Sequence, residues 1–472
     1  MVVGDLKIET EVAVVGAGPG GYVAALRLAD LGKEVTLVEE REEPGGVCLT
    51  EGCIPSKALI NAVELAHTAG NAGKLGLTFE GLRVDPAKLR EWTDSVVRKL
   101  TGGIRGLLER RGVDLVRGRA RLVSRNSLSL EGGEISGIDF RTCILAPGSR
   151  IHEIPPAYDV PVWSSAQALK IPEVPETLLV VGGGYIGLEM GLVYAGLGSK
   201  VTVVEFFPRL LAGADPDLVE IMVRSCRDRF QDVLVESKVT GIRVDGKGFS
   251  VDIEGKDGRV TRSFHRVLVA AGRKPNTGDL GLENTRIRLD EKGFIPVDQE
   301  CRTAEKNIFA IGDAAGEPML AHKASREGKV AAEVIAGRKS AFDNRAIPAV
   351  VFTDPEIAWA GLTEREAAAG GIQVRVGRFP LSALGRARTL GRTDGLVKIL
   401  SHPGTGTVLG VGMVGPLASE LIAEGTLAIE MGATLEDLMV TIHPHPTLSE
   451  AILEAAEAGA GAAIHTHQPR RK

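Results

Sequence analysis

An α/β fold with two parallel-sheet units and a C-terminal α+β segment is predicted by three features of the 472-residue sequence. One βαβ pattern occurs twice at a constant offset. A Pro-rich stretch precedes the second copy. The pattern changes again near residue 347, to β-branched segments followed by helices.

The repeat comes first in chain order. Residues 12–39, VAVVGAGPGGYVAALRLADLGKEVTLVE, superimpose without a gap on residues 178–205, LLVVGGGYIGLEMGLVYAGLGSKVTVVE. Gly16, Gly18 and Gly21 match Gly182, Gly184 and Gly187, and Glu39 matches Glu205. Each copy is an apolar run, a G-x-G-x-x-G turn, a helical stretch, a β-branched run and a terminal acid. That is the dinucleotide-binding pattern of Rossmann-like units. The first Gly permits the tight turn and the second lets backbone reach a pyrophosphate. The third lets helix and strand pack closely, and the helix N-terminus adds partial positive charge. The terminal carboxylate can accept hydrogen bonds from a ribose diol. A lone G-x-G-x-x-G is a weak signal; strand, helix and acid in register, twice, is a strong one, and two dinucleotides are expected.

The remaining elements follow. The prolines of residues 151–175 read as a crossing between domains. Arg266 to Gly272 reads as a buried strand and turn, and Ile308 to Asp313 as a second short buried strand ending in Gly-Asp. Residues 459–472, Gly/Ala-rich and then basic, read as a frayed tail.

Composition excludes several classes. Asp+Glu number 61 against 56 Lys+Arg, a net charge of -5 that argues against a nucleic-acid coat. Aromatics are 4%, too few for base-stacking platforms. No apolar run approaches the ~20 residues of a membrane span. The N-terminus lacks a basic region followed by an apolar core, so a cytoplasmic location is expected. Of five cysteines, Cys143, Cys226 and Cys301 are isolated and are expected to be buried thiols.

Cys48 and Cys53 stand apart, in GGVCLTEGCIPSK (45–57). On a regular helix their spacing separates the Cα atoms by roughly 8–9 Å, whereas a disulfide needs less than ~7 Å. They can pair only if the chain bends first, which Gly52 permits. Pro55 fits a first helical turn, and Cys53 then sits near a helix N-terminus, where a thiolate is stabilised. Zinc binding is a competing reading, but no further Cys or His nearby completes four ligands, and no metal is expected. A pair of inert thiols is the other alternative.

With these residues the chain resembles the pyridine nucleotide–disulphide oxidoreductases, and among them the dihydrolipoamide dehydrogenases. The resemblance covers essentially the whole chain. It rests on GGVCLTEGCIPSKAL, VAAGRKPNT (269–277), FAIGDAAGEPMLAHKASREG (309–328), PAVVFTDPEIAWAGLTE (348–364) and TIHPHPTLSEA (441–451), in the family's order. Two departures stand out: Pro147 where the family usually has Thr, and Thr50-Glu51 between the cysteines. An acid at residue 51, if it points inward, raises thiol pKa values.

The resemblance implies a division into an FAD-binding domain (1–155 and 276–346), an NAD-binding domain (156–275) and a dimerisation domain (347–472). It implies oxidation of protein-bound dihydrolipoyl groups by NAD⁺. Cys48 is then the interchange thiol, Cys53 the thiol beside the flavin, Lys57 a flavin contact with Glu189 as its partner, and His445 the base oriented by Glu450. The family puts His445 and Glu450 into the other subunit's site, hence a homodimer. FAD contacts are implied for Gly16, Gly18, Gly21, Glu39, Lys57, the Ala120 backbone, Asp313, Met319, Leu320, Ala321 and His322. NAD contacts are implied for Gly182, Gly184, Tyr185, Ile186, Gly187, Glu205, the Val239 backbone and Gly272. No lipoyl segment precedes Glu11, so the substrate is expected on another protein: the lipoyl domain and acyltransferase core of a 2-oxo acid dehydrogenase complex, or the lipoyl carrier of glycine cleavage.

The nearest rival is an NADPH-dependent reductase of the glutathione reductase kind. Glu205, followed by Phe206-Phe207-Pro208, opposes it, because a 2′-phosphate calls for Arg or Lys there. Mercuric reductase would need a C-terminal cysteine pair, and no cysteine follows Cys301. A non-catalytic docking flavoprotein would not need Cys48, Cys53, His445 and Glu450 together.

Overall fold

A computed structural model describes residues 6–81, 83–157, 160–256 and 258–466. Both copies of the repeat fold as βαβ units at the centre of separate sheets. In the first, β1 (Lys7–Val15) runs into helix α1 (Pro19–Asp30) and back along β2 (Val35–Glu39), parallel to β1. The sheet is completed by β3 (Asp114–Arg117), β4 (Arg119–Ser124), β5 (Ser127–Glu131) and β6 (Gly137–Leu145), in the order β3-β2-β1-β6-β5-β4. Val12 to Val15 and Val35 to Val38 are buried, as expected of a parallel sheet covered on both faces. The short strand Ile308–Ala310 pairs in parallel with Cys143–Leu145, so the chain returns to this sheet some 160 residues later.

The second sheet is built from Thr177–Val181, Lys200–Val204, Asp232–Leu234, Arg266–Val269 and Trp163–Ser164, all parallel. Arg266–Val269 lies beside Thr177–Val181, as the buried-strand reading expected. The Pro-rich stretch has already crossed over by Trp163, which pairs with Leu268. An antiparallel meander (Lys238–Asp245, Gly248–Gly255, Gly258–Phe264) sits between, and the sequence reading had not anticipated it.

The C-terminal segment is a five-stranded antiparallel sheet of Ala349–Val351, Glu356–Gly361, Val408–Gly415, Leu396–Ser401 and Arg375–Pro380. Helices Ala418–Met431 and Glu450–Ala460 pack against it. The first ends at Gly432 with φ +67°, a left-handed cap that glycine adopts without strain. Ile422 and Ile429 on that helix are buried in the chain's own core, while Leu427 and Met431 are 62% and 76% exposed. The tail reading needs one correction. Gly459 and Ala460 finish a helix, and His465 beyond it bonds Glu454, so Gly459 to His465 is ordered by helix propagation and an ion pair. Residues 467–472 lie outside the described residues.

Candidate active site

The repeat extends to individual hydrogen bonds. Glu39 accepts from the Ala17 N–H at 2.7 Å and the Arg41 N–H at 3.1 Å. Glu205, 166 residues on, accepts from the Gly183 and Phe207 N–H groups at 2.6 and 2.8 Å. Each carboxylate therefore fastens its own glycine turn and faces the position just beyond it.

The glycines divide into two kinds. A Cβ on Gly16 would lie 2.2 Å from the Ala146 carbonyl oxygen, and one on Gly21 1.7 Å from the Gly16 carbonyl oxygen. Gly182 and Gly187 are equally crowded, at 2.4 and 2.0 Å. Packing alone forbids side chains there. Gly18 and Gly184 have extended backbones that any residue adopts. A Cβ on Gly18 would meet only Gly46 Cα at 3.9 Å, and around Gly184 nothing lies within 4 Å. Neither packing nor backbone demands glycine at these two, and the open space at each helix N-terminus has room for close approach of a phosphate group.

The redox motif folds as two helices rather than one. Helix α2 (Gly46–Glu51) carries Cys48, Gly52 breaks the chain at φ −146° and ψ −112°, and Cys53 is the first residue of helix α3 (Cys53–Gly70). The break lets α2 fold back closely enough that a Cβ on Gly52 would lie 2.9 Å from the Val47 carbonyl. Both cysteines are free thiols in this structure and hydrogen-bond each other. That bond and the nearby Lys57 ammonium hold Cys53 below the usual thiol range against the opposing effect of burial. The same bond, with burial, pushes Cys48 up. Of the two, Cys53 is the one whose ionisation is favoured, at the N-terminus of an 18-residue helix.

Lys57, one turn along α3, reaches Glu189 on helix Tyr185–Leu197 at 2.7 Å. Glu189 also accepts from the Phe352 N–H at 3.1 Å, and the Phe352 ring lies 4.5 Å from the Lys57 ammonium. Three distant segments thus fix one cation near the cysteines.

One cavity of ≈ 870 Å³ unites most of the first-unit residues. Gly16, Gly18 and Glu39 line one end; Cys48, Cys53, Lys57, Tyr185, Ile186 and Glu189 line another; Ala120, Asp313, Met319 and Ala321 line it as well. Its size suits a large ligand. Gly21 lies behind Gly16 rather than on the cavity wall. Leu320 is the N-cap of helix Ala321–Ile335, and His322 bonds the Pro348 carbonyl at 2.7 Å and lines a separate apolar recess. Neither lines the main cavity. In the second unit, Gly182, Gly184, Gly187, Glu205, Val239 and Gly272 lie outside it as well, and Phe206 and Phe207 stand exposed beside Glu205.

His445 and Glu450 are absent from the lining of this cavity. His445 Nδ1 lies 2.8 Å from Glu450 Oε1, and its side chain is 79% exposed. Burial pushes the Glu450 carboxyl up, but the Thr447 N–H and His445 outweigh it and hold it below the ordinary value. His443 is different: its side chain is buried, with Glu424 Oε1 at 2.8 Å on Nε2 and the Thr441 carbonyl at 3.0 Å on Nδ1.

Several participants were not singled out in the sequence. Asp313 accepts a short bond from the Ser149 hydroxyl, and Ser149 in turn accepts from Arg273 at 2.7 Å. Arg41 pairs with Glu51. Asp215, Asp217 and Glu364 converge as a cation site would, but the Lys398 ammonium sits among them at 2.6, 2.7 and 2.9 Å. No spacing rule announces these contacts, and those of Ser149 with Asp313 and Arg273, and of Lys398 with Asp217, join residues more than 100 positions apart.

Comparison with known proteins agrees with this geometry. Residues 10–328 match the family described as Pyridine nucleotide-disulphide oxidoreductase, and residues 347–456 match that family's dimerisation domain. The chain belongs to this family. A protein of Haloferax volcanii named dihydrolipoyl dehydrogenase is 48% identical, over 99% of both chains. One of the same name from Geobacillus stearothermophilus is 47% identical, over 98% of this chain and 99% of its own. The crystal structure of LpdA from Mycobacterium tuberculosis superimposes with a TM-score of 0.88 at 28% identity, covering 95% of this chain and 99% of that one. The family's oxidoreductase segment contains both βαβ units and the cysteine pair, and its dimerisation domain contains His445 and Glu450.

Proposed function

We propose that the chain oxidises dihydrolipoyl groups carried on a partner protein, with NAD⁺ as electron acceptor, through Cys48 and Cys53 and a bound FAD. The observation that carries this reading is the shared cavity: the glycine turn and Glu39 line the same space as the two cysteines and Lys57. The relatives' names support the substrate class.

FAD fits the residues present, because Gly18 leaves room at a helix N-terminus and the cavity runs from Glu39 to the cysteines. When bound, FAD supplies the link between two-electron thiol chemistry and hydride chemistry. The chain's residues do the rest. In the oxidised enzyme Cys48 and Cys53 form a disulfide. His445 Nε2 takes the proton of one substrate thiol, and the thiolate attacks Cys48 Sγ, breaking the S–S bond. Cys53 leaves as a thiolate, stabilised by the α3 N-terminus and Lys57. The second substrate thiol then attacks the substrate sulfur of the mixed disulfide, and its proton passes to His445 as the histidine gives the first one up. Lipoyl disulfide departs, and Cys48 takes a proton from the histidine. Glu450 holds Nδ1, so Nε2 is the working nitrogen.

His445 acts in the partner's site. Its exposed side chain and its absence from this chain's own cavity support a homodimer with two shared sites. The docking partner is the lipoyl-bearing component of a 2-oxo acid dehydrogenase or glycine cleavage system, in the cytoplasm. Glu205 favours NAD⁺ and opposes the glutathione reductase-like alternative. Anaerobic assay of dihydrolipoamide with NAD⁺, beside glutathione disulfide with NADPH, tests the reading. Turnover only in the second assay would overturn it.

A further inference from the structure

Between the cysteines the chain carries Thr50-Glu51, and Glu51 closes helix α2 immediately before Gly52 and Cys53. A carboxylate there is poorly matched to a site that works through a thiolate, since a nearby negative charge raises thiol pKa values. The structure supplies a counter-charge. Arg41, two residues beyond Glu39, places Nη1 3.1 Å from Glu51 Oε2 and donates to the Thr50 hydroxyl at 3.2 Å. Thr50 itself donates to the Gly46 carbonyl at 2.9 Å, so its oxygen is held for Arg41. Meanwhile the Arg41 backbone N–H is bound by Glu39. Arg41 and Glu51 both line the cavity that holds Cys48 and Cys53. Each is about one-third exposed, so the pair is a weak source of stability. Its place beside the reaction centre is what gives it consequence.

We propose that Arg41 is a positioning residue of the redox centre: it neutralises Glu51 and straps the last turn of α2 to the end of β2, keeping the carboxylate's charge from the Cys48–Cys53 pair. The proposal rests on the reading of that pair as the reaction centre. Ionisable groups that act on the pair from neighbouring elements are Lys57 on α3, Glu189 and Tyr185 on helix Tyr185–Leu197, and Tyr22 on α1. None of them contacts Glu51.

The test is the pH midpoint for iodoacetamide alkylation of the reduced holoenzyme, with the modified cysteine located by mass spectrometry. Arg41→Ala exposes the carboxylate and should raise the midpoint by about 0.5 unit. Glu51→Gln leaves the guanidinium uncompensated and should lower it by a similar amount. The double variant Arg41→Ala/Glu51→Gln should return to the wild-type midpoint. Opposite shifts that cancel support the proposal, because loss of a merely structural strap moves both single variants the same way. Any other pattern overturns it. Alkylation needs neither NAD⁺ nor a lipoyl substrate, so failed dihydrolipoamide turnover in the wild type would count against the proposed function without touching this result.

Discussion

Lys57 and Glu189 lie 132 residues apart in sequence, yet their charged groups meet at 2.7 Å on the wall of the cavity that the cysteine pair lines. Glu189 is almost wholly buried and Lys57 about one-quarter exposed, so the carboxylate is the fixed partner and the ammonium is the one it aims. The contact ties the second βαβ unit to the redox helix of the first.

The first prediction follows from that aim. Lys57 lowers the Cys53 pKa, after the larger contribution of the Cys48 hydrogen bond. A lowered thiol pKa means that thiolate persists to lower pH. Lys57→Met should therefore move thiolate formation at Cys53 to higher pH, read as the long-wavelength flavin–thiolate band of the half-reduced enzyme. Glu189→Gln removes a carboxylate that raises the Cys53 pKa, and should move the midpoint the other way, to lower pH. A band whose midpoint is unchanged in Lys57→Met would refute the role given to this lysine.

The second prediction rests on the proposed role of Glu205 in coenzyme choice. Its two oxygens already hold the Gly183 and Phe207 N–H groups, so the carboxylate cannot swing away from an approaching 2′-phosphate. The expected preference for NAD(H) in kcat/KM is at least ~100-fold, about 2.7 kcal/mol. Glu205→Gln keeps one acceptor for the turn and removes the charge, and should narrow that preference. Equal efficiency of the wild type with NADP(H) would count against the assignment.

Tyr185 begins its helix next to Gly184, is 39% exposed, and lines the cavity together with Cys53 and Lys57. A packed core tyrosine would be buried. We propose that this partly exposed residue gates access to the cavity. Tyr185→Ala should change both NADH affinity and diaphorase rate. If neither moves, the ring only fills space.

Burial makes Lys398 a structural prediction. Its side chain is 1% exposed and bonds three carboxylates, which tie helix Pro216–Cys226 to the C-terminal sheet. Lys398→Met leaves the buried Asp215 without its cation, while Asp217 and Glu364 keep Arg378, and should cost about 3 kcal/mol, seen as a lower melting temperature. Asp215 adds a pH dependence. Burial raises its pKa, but Lys398 and the Glu364 and Arg365 N–H groups outweigh this and keep it below the ordinary value. Its contribution is complete above the ordinary carboxylate pKa and is lost as pH falls through the lower folded value. An unchanged melting temperature in Lys398→Met would show that the cluster is not holding the joint.

The fold was legible where local pattern and global structure coincide. Gly16 to Glu39 and Gly182 to Glu205 announced both sheets, because turn, helix packing and carboxylate each impose a residue at a fixed offset. The bend at Gly52 was legible because disulfide geometry excludes a continuous helix. Lys57 and Glu189 came from resemblance, since nothing in their spacing joins them. Phe352 and Lys398 were missed for a related reason. Their partners are set by how sheets pack, and a lysine in the strand Leu396–Ser401 reads as a surface residue until three acids from elsewhere close around it. The meander 238–264 was missed because its exposed face gives weak alternation.

The last prediction concerns the shared site. Within one chain the cavity that holds Cys48 and Cys53 is not lined by His445 or Glu450. His445 stands 79% exposed, and Met431 and Ile442 nearby in sequence are 76% and 95% exposed, an arrangement suited to a partner's surface. If the base is supplied across a two-fold interface, each site takes its cysteines from one subunit and its histidine from the other. Cys48→Ser homodimers and His445→Gln homodimers are then each inactive at both sites. A hybrid of the two puts both defects into one site and leaves the other intact. Random subunit exchange makes about half of the dimers hybrid, each with one working site, so the mixture should recover about a quarter of wild-type activity. If cysteines and base came from the same chain, every site in every hybrid would still carry a defect. Mass spectrometry of differently tagged subunits establishes that hybrids have formed. Hybrids without recovered turnover would remove the shared-site assignment of His445, and with it the reason for expecting an inactive monomer.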